Sequence, residues 1–552
     1  MTQGLAQELR RGWLTAMRPD GWSLAALSIA TLVLLPVVAV LWIAFQGGLQ
    51  IWPHLLSTTL PRYVGNTLLL MIGVGMLTAA VGTGAAWLVT LYRFPGRNWL
   101  QWALLLPMAV PAYVGAYALV DFLEYPGVVQ RGLRALFGWQ SARDYWFPEV
   151  RTRGAAILVL SGALYPYVYL LTRAAFREQS GAVFEVAQAL GADAWSRFFR
   201  VGLPLARPAI AAGAAVVMME TVNDFGAVDY FAVQTLTTGI FSLWLQAGDL
   251  PGAAQLSVCI LVVIVVLVTL EKASRRHART HASARAFRPV VPQPLRGWKA
   301  WSATLACLLP FLGGFVLPVG VLLSNSFDAQ QWVEPGLALA LIHSLAVGGA
   351  AAAICVALGV VMVYGARLSS RRLPVLLLPV TAIGYAVPGA VLGIGVLIPL
   401  AALDNAVADA VLWITGRDPG LLLTGTAAAL VLAYSVRFFA VGQGTADAAM
   451  ARISPSLPMA ARSLGRSSGG ALASVHLPLT RTSLGAALLL VFVDCVKELP
   501  ATLLLRPFSF DTLATRVHAK ASLENLSEAA PAALTITLVG LVATALLART
   551  SR

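Results

Sequence analysis

Charged residues are scarce in this sequence of 552 residues. Only 12% of them are Asp, Glu, Lys or Arg, and 58% are hydrophobic, whereas a typical soluble domain is about 25% charged. This composition excludes a water-soluble globular fold. Apolar runs such as 24–45, 257–270 with its flanks and 305–323 are, at about 20 residues, long enough as helices to cross a bilayer. We therefore expect an all-α polytopic membrane protein, because a helix satisfies its own backbone amides in lipid.

Cysteine and the common catalytic motifs are also scarce. The sequence has no second Cys or His at metal-ligand spacing from any cysteine, which argues against a disulfide framework or a zinc site. It contains no Gly-Lys dipeptide and hence no phosphate-binding loop. One Gly-x-Ser-x-Gly match, at 465–469, lacks the preceding strand of a nucleophile elbow. We expect no enzyme active site, no cofactor and no tightly bound metal in this chain. The cysteines, expected to pack as small buried hydrophobes, are Cys259, Cys307, Cys355 and Cys495.

The formal net charge of +14 is concentrated between alternate apolar runs. By the positive-inside rule, these basic segments are cytoplasmic loops, which places both termini in the cytoplasm and gives about twelve spans. We expect no nucleic-acid partner. The first apolar run is longer than the core of a signal peptide, so we interpret it as a retained first helix. The basic segments include 93–97, 173–207, 272–299 and 367–372.

The chain also contains an internal repeat. A shift of 274 residues aligns 185–191 with 459–465 and Arg207 with Arg481, and a shift of 277 aligns Gly82 with Gly359 and Pro111 with Pro388. A period this long indicates duplicated domains. We predict two homologous six-helix halves, 1–270 and 301–552, joined by a cytoplasmic linker at 271–300. The linker is rich in arginine and proline; it is expected to set topology, and contact with anionic lipid headgroups is the alternative.

The repeated segments, which we call the first repeated loop (185–207) and the second repeated loop (459–481), each predict two short helices joined at a glycine. Gly191 and Gly465 are the helix breakers, and in each loop Val-x-Leu-Pro follows after nine further residues. An amphipathic helix pair lying on the membrane is the alternative. It does not require the same spacing from glycine to proline in both copies.

The two loops resemble the cytoplasmic signature loop of the membrane subunits of bacterial binding-protein-dependent ABC importers. Val186, Met459, Val201 and Val475 depart from the family pattern, and Met459 replaces its acidic residue. The resemblance implies the type I ABC importer permease fold and coupling helices that dock on two copies of a cytoplasmic ATPase, which would hold ATP and Mg²⁺. The implied docking residues are Glu185, Ala187, Gly191, Leu203 and Pro204 in the first half and Ala460, Ala461, Gly465, Leu477 and Pro478 in the second.

Four further segments, 223–231, 237–240, 497–507 and 510–514, are similar to the fused permeases of iron(III) importers. This similarity implies a permease subunit of the bacterial inner membrane, surrounded by lipid, that receives ferric iron from a periplasmic or lipid-anchored iron-binding protein. Permeases for thiamine, phosphonate or polyamines share the same plan and stay open as alternatives. The resemblance leaves open whether the two ATPase subunits are identical and whether iron crosses bare or chelated.

Four carboxylates fall inside predicted spans at equivalent places in the two halves. Glu220 and Asp224 are four residues apart, as are Asp494 and Glu498, so each pair is expected on one helix face about halfway along its helix. Charged groups at such depth usually face a protein interior or an aqueous path. We predict that they line the translocation path, where oxygen ligands suit a hard cation such as Fe(III). The alternative is a packing role, in which they pair with neighbouring cations or with backbone freed at Gly226 and Pro500.

Two other classes of function compete with an ATP-driven importer. An ion-coupled secondary transporter would use the intramembrane carboxylates, but it does not explain two matched loops. A purely structural scaffold would explain neither the loops nor the carboxylates, and it ranks last.

Overall fold

The computed structural model describes residues 21–48, 52–179, 181–276, 290–369, 372–382, 384 and 387–550. In this part of the chain, eleven helices are long and apolar enough to cross a membrane, or twelve if a helix pair bent by 95° counts as one span. The prediction of about twelve spans is confirmed. The bend falls at Val110 and Pro111, where Val110 is extended, as expected of a residue that precedes proline.

The described residues form two compact units. The larger unit comprises 41–343 and 510–545, and the smaller one comprises 21–40, 344–509 and 546–550. These units do not coincide with the two halves of the internal repeat, because each unit contains helices from both halves. The boundaries 1–270 and 301–552 therefore remain a prediction about sequence duplication.

Most helices lie wholly within one unit. Two short strands, β1 (Tyr92–Arg93) and β2 (Gln293–Pro294), pair in parallel in the larger unit. The helices of the larger unit are α2 (Trp52–Ser57), α3 (Leu60–Leu91), α4 (Arg97–Ala103), α5 (Ala112–Leu123), α6 (Val128–Phe137), α7 (Arg153–Glu178), α8 (Gly181–Ala189), α9 (Ala194–Ser196), α10 (Leu203–Asn223), α11 (Gly226–Tyr230), α12 (Leu236–Phe241), α13 (Leu250–Arg276), α14 (Trp298–Phe311), α15 (Leu317–Ser324), α16 (Ala329–Trp332) and α25 (Leu513–Ser522).

The smaller unit has fewer helices of its own among the described residues. Three long helices, α1 (Gly21–Gln46), α17 (Pro335–Leu368) and α26 (Leu526–Thr550), contribute to both units. Turns of 3-10 helix at Leu106–Ala109 and of π-helix at Arg197–Gly202, Ser242–Gln246, Leu312–Val316 and Leu472–His476 complete the helical structure. The remaining helices are α18 (Arg372–Thr381), α19 (Gly389–Thr415), α20 (Ala427–Ala451), α21 (Ser456–Ser463), α22 (Ser468–Ala471), α23 (Leu477–Val496) and α24 (Pro500–Leu505).

Equivalent glycines bring equivalent helices together in the two halves. A Cβ on Gly82 of α3 would lie 2.9 Å from the backbone nitrogen of Tyr169 on α7. On α17, a Cβ on Gly359 would lie 2.7 Å from the backbone nitrogen of Gln443 on α20. Small residues permit such close backbone approach between membrane helices. The repeat seen in the sequence is therefore also a repeat of helix packing.

The first helix of each half packs against helices of the other half. In the smaller unit, Trp22 of α1 meets Tyr364 of α17 edge to face with ring centroids 5.0 Å apart, and Ser23 Oγ donates to Ser369 Oγ at 2.8 Å. In the larger unit, α14 contributes buried Ala300, Ala303 and Cys307 to a core around Trp87. This exchange is the reason that the compact units and the sequence halves differ.

The end of the linker is part of the larger unit. Strand β2 pairs with β1 between α3 and α4, and the backbone N–H of Leu295 donates to the carbonyl of Arg93 at 2.9 Å. Residues 277–289 of the linker lie outside the described part. Since residues 290–297 pack on the first half, this segment does more than join two halves.

Candidate functional site

Both repeated loops contain two short helices joined at the predicted glycine. Gly191 follows α8 with φ +84°, and Gly465 follows α21 with φ +82°. The backbone N–H of Ala192 donates to the carbonyl of Ala187 and that of Gly191 to Gln188, both at 3.0 Å. This is a Schellman cap. The same pattern at Gly465, with Arg466 donating to Ala461 at 3.1 Å, confirms the prediction for both copies.

A side-chain cap starts the second short helix of each loop. The carboxylate of Asp193 accepts from the backbone N–H of Ser196 at 2.9 Å, and the hydroxyl of Ser467 accepts from Gly470 at 3.1 Å. These two caps are 274 residues apart. Ser467 is also the serine of the Gly-x-Ser-x-Gly match, so its hydroxyl caps a helix here.

The tips of the two loops are exposed. Leu190 and Leu464, the residues before the glycines, are 82% and 84% exposed. Neither leucine is among the predicted docking residues, and the signal that marks them is their occurrence at equivalent positions of both copies. Of the predicted docking residues, Glu185, Gly191, Ala460, Gly465, Leu477 and Pro478 are exposed, and Ala187, Leu203, Pro204 and Ala461 are half-buried.

An aromatic contact fixes the base of each loop, and its residues differ between halves. In the first half, Trp87 covers Gly202, where an added Cβ would lie 2.3 Å from the indole. The indole also meets Phe176, Phe184 and Phe198 edge to face. In the second half, the equivalent residues are Tyr364 and His476, whose rings meet with centroids 5.1 Å apart. A larger ring over glycine is thus replaced by a smaller ring over histidine.

Within the described residues, the linker makes side-chain hydrogen bonds to the first loop and none to the second. Arg197, which is 8% exposed, donates to Gln188 Oε1 at 3.1 Å and to Gln293 Oε1 at 3.3 Å. Gln293 on β2 donates to Gln188 at 2.7 Å. The position equivalent to Arg197 is Ala471, which cannot make these bonds.

In the second half, cations neutralise the two selected carboxylates. Glu498 accepts from Arg437 at 3.0 Å, and the two side chains are 5% and 7% exposed. Glu498 also accepts from the backbone N–H of Ala501 at 2.9 Å. Asp494 pairs with Lys497 at 2.8 Å. These are the contacts that the packing alternative predicts.

In the first half, backbone amides hold the equivalent carboxylate. Asp224 Oδ1 accepts from the N–H groups of Ala227 at 2.9 Å and Val228 at 3.2 Å, and it thereby starts α11. Because α10 ends at Asn223 and α23 at Val496, the expectation that each pair lies on one face in mid-helix is wrong. Glu220 lies in the last turn of α10 and is half-buried. The role of the four carboxylates in a path stays a prediction.

The segment between α6 and α7 carries its own electrostatic contacts. The backbone N–H groups of Ser141 and Gln140 donate to Asp144, both at 2.7 Å, and lower the pKa of this carboxyl. Hydrogen bonds to Glu124 and Glu524, each at 2.7 Å, raise the pKa of Arg151. Acidic side chains in this segment therefore contribute to its local structure.

Metal ligands are not grouped in the described residues, where no cluster of three or more His, Cys, Asp or Glu side chains could hold an ion. Three of the four cysteines, Cys307, Cys355 and Cys495, are buried and free, and Cys259 is half-buried and free.

Comparisons with known proteins agree with this architecture. Residues 71–279 match the family described as Binding-protein-dependent transport system inner membrane component. The chain is 25% identical over 536 residues to the Fe(3+)-transport system permease protein FbpB 2 of Haemophilus influenzae, an alignment that covers 94% of this chain and 96% of that protein.

Two further relatives, both from Escherichia coli, align with part of this chain. The sulfate transport system permease protein CysT is 26% identical, covering 44% of this chain and 86% of that protein. The molybdenum transport system permease protein ModB is 28% identical, covering 34% of this chain and 79% of that protein. The helical architecture, the two matched loops and the full-length alignment make this chain a fused two-half permease of the binding-protein-dependent ABC importer family.

Proposed function

We propose that this permease moves ferric iron across the bacterial inner membrane, with both chain termini in the cytoplasm. The observation that carries the proposal is the pair of repeated loops, which have the same Schellman cap, the same capped second helix and exposed leucines at their tips. Such rigid, exposed turns suit docking on a second protein. The partner would be two copies of a cytoplasmic ATPase, one on each loop, which supply ATP and Mg²⁺.

The loops are built to transmit force to the spanning helices. Each second short helix continues through a π-helical turn into a long helix, α10 after the first loop and α23 after the second. Helical structure is continuous over Ala194–Asn223 and Ser468–Val496, so displacement of the second short helix would move the spanning helix directly. ATP-driven closure of the ATPases would in this way switch the access of the path between the two membrane faces.

Iron as the substrate is supported by the relative that covers nearly the whole chain, because its name assigns it to Fe(3+) transport. A periplasmic or lipid-anchored iron-binding protein would deliver the ion. Thiamine, phosphonate and polyamines remain alternatives from the sequence, and the half-length relatives add sulfate and molybdate.

The four carboxylates do not contribute equally to a cation path in this proposal. Arg437 and Lys497 neutralise the second-half pair, so these groups have little charge to offer a passing cation. Asp224 is held by neutral backbone amides. We therefore propose that Asp224 contributes more to the path than Asp494 and Glu498 do.

Uptake by proteoliposomes that contain the permease, its ATPase and its binding protein tests the function. ATP-dependent accumulation of ⁵⁵Fe(III), without accumulation of thiamine, phosphonate, spermidine, sulfate or molybdate, is the expected result. Accumulation of another solute instead of iron would contradict the substrate. Uptake without the ATPase, driven by an ion gradient, would favour a secondary transporter.

A further inference from the structure

A cavity of about 350 Å³ lies beside the base of the first repeated loop. Its wall is formed by the end of α3, by α4, by the end of α7 and by the linker. We call it the arginine cavity. Its lining includes Thr90, Arg97, Gln101, Arg173, Arg177 and Pro292.

Three guanidinium groups share this cavity without a carboxylate. Arg97 Nε donates to the carbonyl of Val89 at 2.7 Å, and Arg173 donates to Gln101 Oε1 at 2.8 Å. Both acceptors are neutral, and among the described residues no Asp or Glu pairs with any of the three arginines. The linker cannot supply one either, because residues 272–299 contain no acidic residue. Clustered like charges repel, and a bound anion would relieve that repulsion.

Thr90 adds a buried donor to the same cavity. This residue is 7% exposed, and its Oγ1 has no hydrogen-bond partner among the described residues. A buried hydroxyl without a partner is destabilising, unless a ligand or an ordered water supplies one. Together, the hydroxyl and the guanidinium groups form a set of donors, which is the chemistry that binds oxyanions.

The second half shows what the first half lacks. The positions equivalent to Thr90 and Arg173 are Arg367 and Asp447, and these two side chains form an ion pair at 2.8 Å. The second half therefore has a carboxylate at the place of Arg173, and it has an arginine at the place of Thr90. The helix scaffold is the same in both halves, but only the second half has a carboxylate at this place.

From this comparison we infer that the arginine cavity binds an anion with a phosphate group, held by Arg97, Arg173, Arg177 and Thr90. Guanidinium groups bind phosphate oxygens in bidentate geometry. Arg173 and Arg177 lie in the last turns of a spanning helix, the depth at which lipid headgroups are found. The same chemistry fits the headgroup of an anionic phospholipid and a free phosphate.

A bound phosphate would also hold together three segments that lead to the first repeated loop. Arg177 lies in the last turn of α7, which ends at Glu178, and α8 begins at Gly181. Pro292 of the linker precedes Gln293, which contacts Gln188 on α8. Occupation of the cavity is therefore expected to restrain this loop and to leave the second one unaffected.

Two measurements on the purified full-length chain identify the ligand. Native mass spectrometry from nanodiscs of phosphatidylglycerol and phosphatidylcholine counts retained anionic lipid, and calorimetric titration with inorganic phosphate in detergent detects the free anion. The wild type is expected to retain one phosphatidylglycerol or to bind phosphate. Arg97→Gln with Arg173→Gln should weaken binding at least tenfold, since each charge-assisted hydrogen bond contributes about a factor of ten or more.

The second half supplies a matched variant. Thr90→Arg with Arg173→Asp transplants the ion pair of Arg367 and Asp447, so it should fold normally and lose the anion. Arg131→Gln with Arg143→Gln removes two exposed arginines outside the cavity and should bind as the wild type does. Binding of phosphatidylglycerol alone identifies a lipid site, and binding of phosphate in delipidated protein identifies a free-anion site. Equal binding by the wild type and the transplanted variant, or binding of neither probe, would overturn the inference.

Discussion

At equivalent positions, Asp224 and Glu498 share one contact and differ in another. Each accepts a hydrogen bond from the backbone N–H three residues later, but Glu498 also forms a buried ion pair with Arg437. The base of the loop differs as well, with tryptophan over glycine in one half and tyrosine over histidine in the other. The two halves therefore share their helix geometry but differ in the groups that pair with their buried carboxylates.

The largest expected effect is on the buried ion pair. Glu498→Leu leaves the Arg437 guanidinium buried and without this carboxylate, which should lower the free energy of unfolding by about 3–5 kcal/mol. Asp224→Ala removes only a cap and should cost about 1 kcal/mol. Thermal unfolding of the detergent-solubilised variants measures both. Equal losses would show that the two halves do not differ in this respect.

The aromatic contact at the base of the loop gives the next largest effect. Gly202→His places an imidazole against Trp87 and should cost about 1–3 kcal/mol from overpacking, if not more. Adding Trp87→Tyr imports the complete pair of the second half and should recover part of that loss. A double-mutant cycle on thermal stability measures the coupling. Additive losses in the double variant would mean that the two residues do not compensate each other.

The two repeated loops should respond equally to loss of their glycines. Gly191 and Gly465 have positive φ, and a Cβ at either position meets nothing within 4 Å. Alanine therefore costs only backbone strain, about 1–2 kcal/mol, and Asn should cost less. The measurement is ATPase activity coupled to iron uptake, which should fall for Gly191→Ala and for Gly465→Ala alike. A loss confined to one variant would indicate unequal docking sites.

The smallest effect concerns the segment between α6 and α7. The folded-state pKa of Asp144 is below its ordinary value, so its contribution to stability is present above the unfolded-state pKa and is lost as the pH falls through the folded-state pKa. Asp144→Asn should remove this pH dependence. Hydrogen exchange of the Ser141 amide from pH 6 to pH 3 reports it, with Asp418→Asn as the control in the second half. An unchanged profile in Asp144→Asn would contradict the assignment.

The glycine-centred loops could be predicted from the sequence. The position after a helix often has a left-handed backbone conformation, and glycine is the residue that adopts it most easily. The end of α10 at Asn223 could not be predicted from the sequence. The four-residue spacing of Glu220 and Asp224 within an apolar run indicates a continuous helix, whereas the cap that Asp224 forms is visible only in three dimensions. Packing of α1 against the second half was also missed. An apolar helix gives no directional signal for its neighbour, because lipid and protein accept the same side chains.

The arginine cavity shows a further limit of prediction from one sequence. Arg97, Arg173 and Pro292 are far apart along the chain and appear in the sequence only as topology signals. Their convergence, and the ion pair that replaces it in the second half, become visible when the two halves are compared in three dimensions.

The position of α1 has a consequence for biosynthesis. Its serine Ser23 forms a hydrogen bond with Ser369, 346 positions later in the chain. At roughly 5–20 residues per second, the ribosome needs about 20 to 70 s to synthesise the second partner after the first. During this interval Ser23 is without its native partner Ser369. The insertion machinery or surrounding lipid must shield this hydroxyl and the indole of Trp22, and a translational pause before residue 369 would lengthen that exposure.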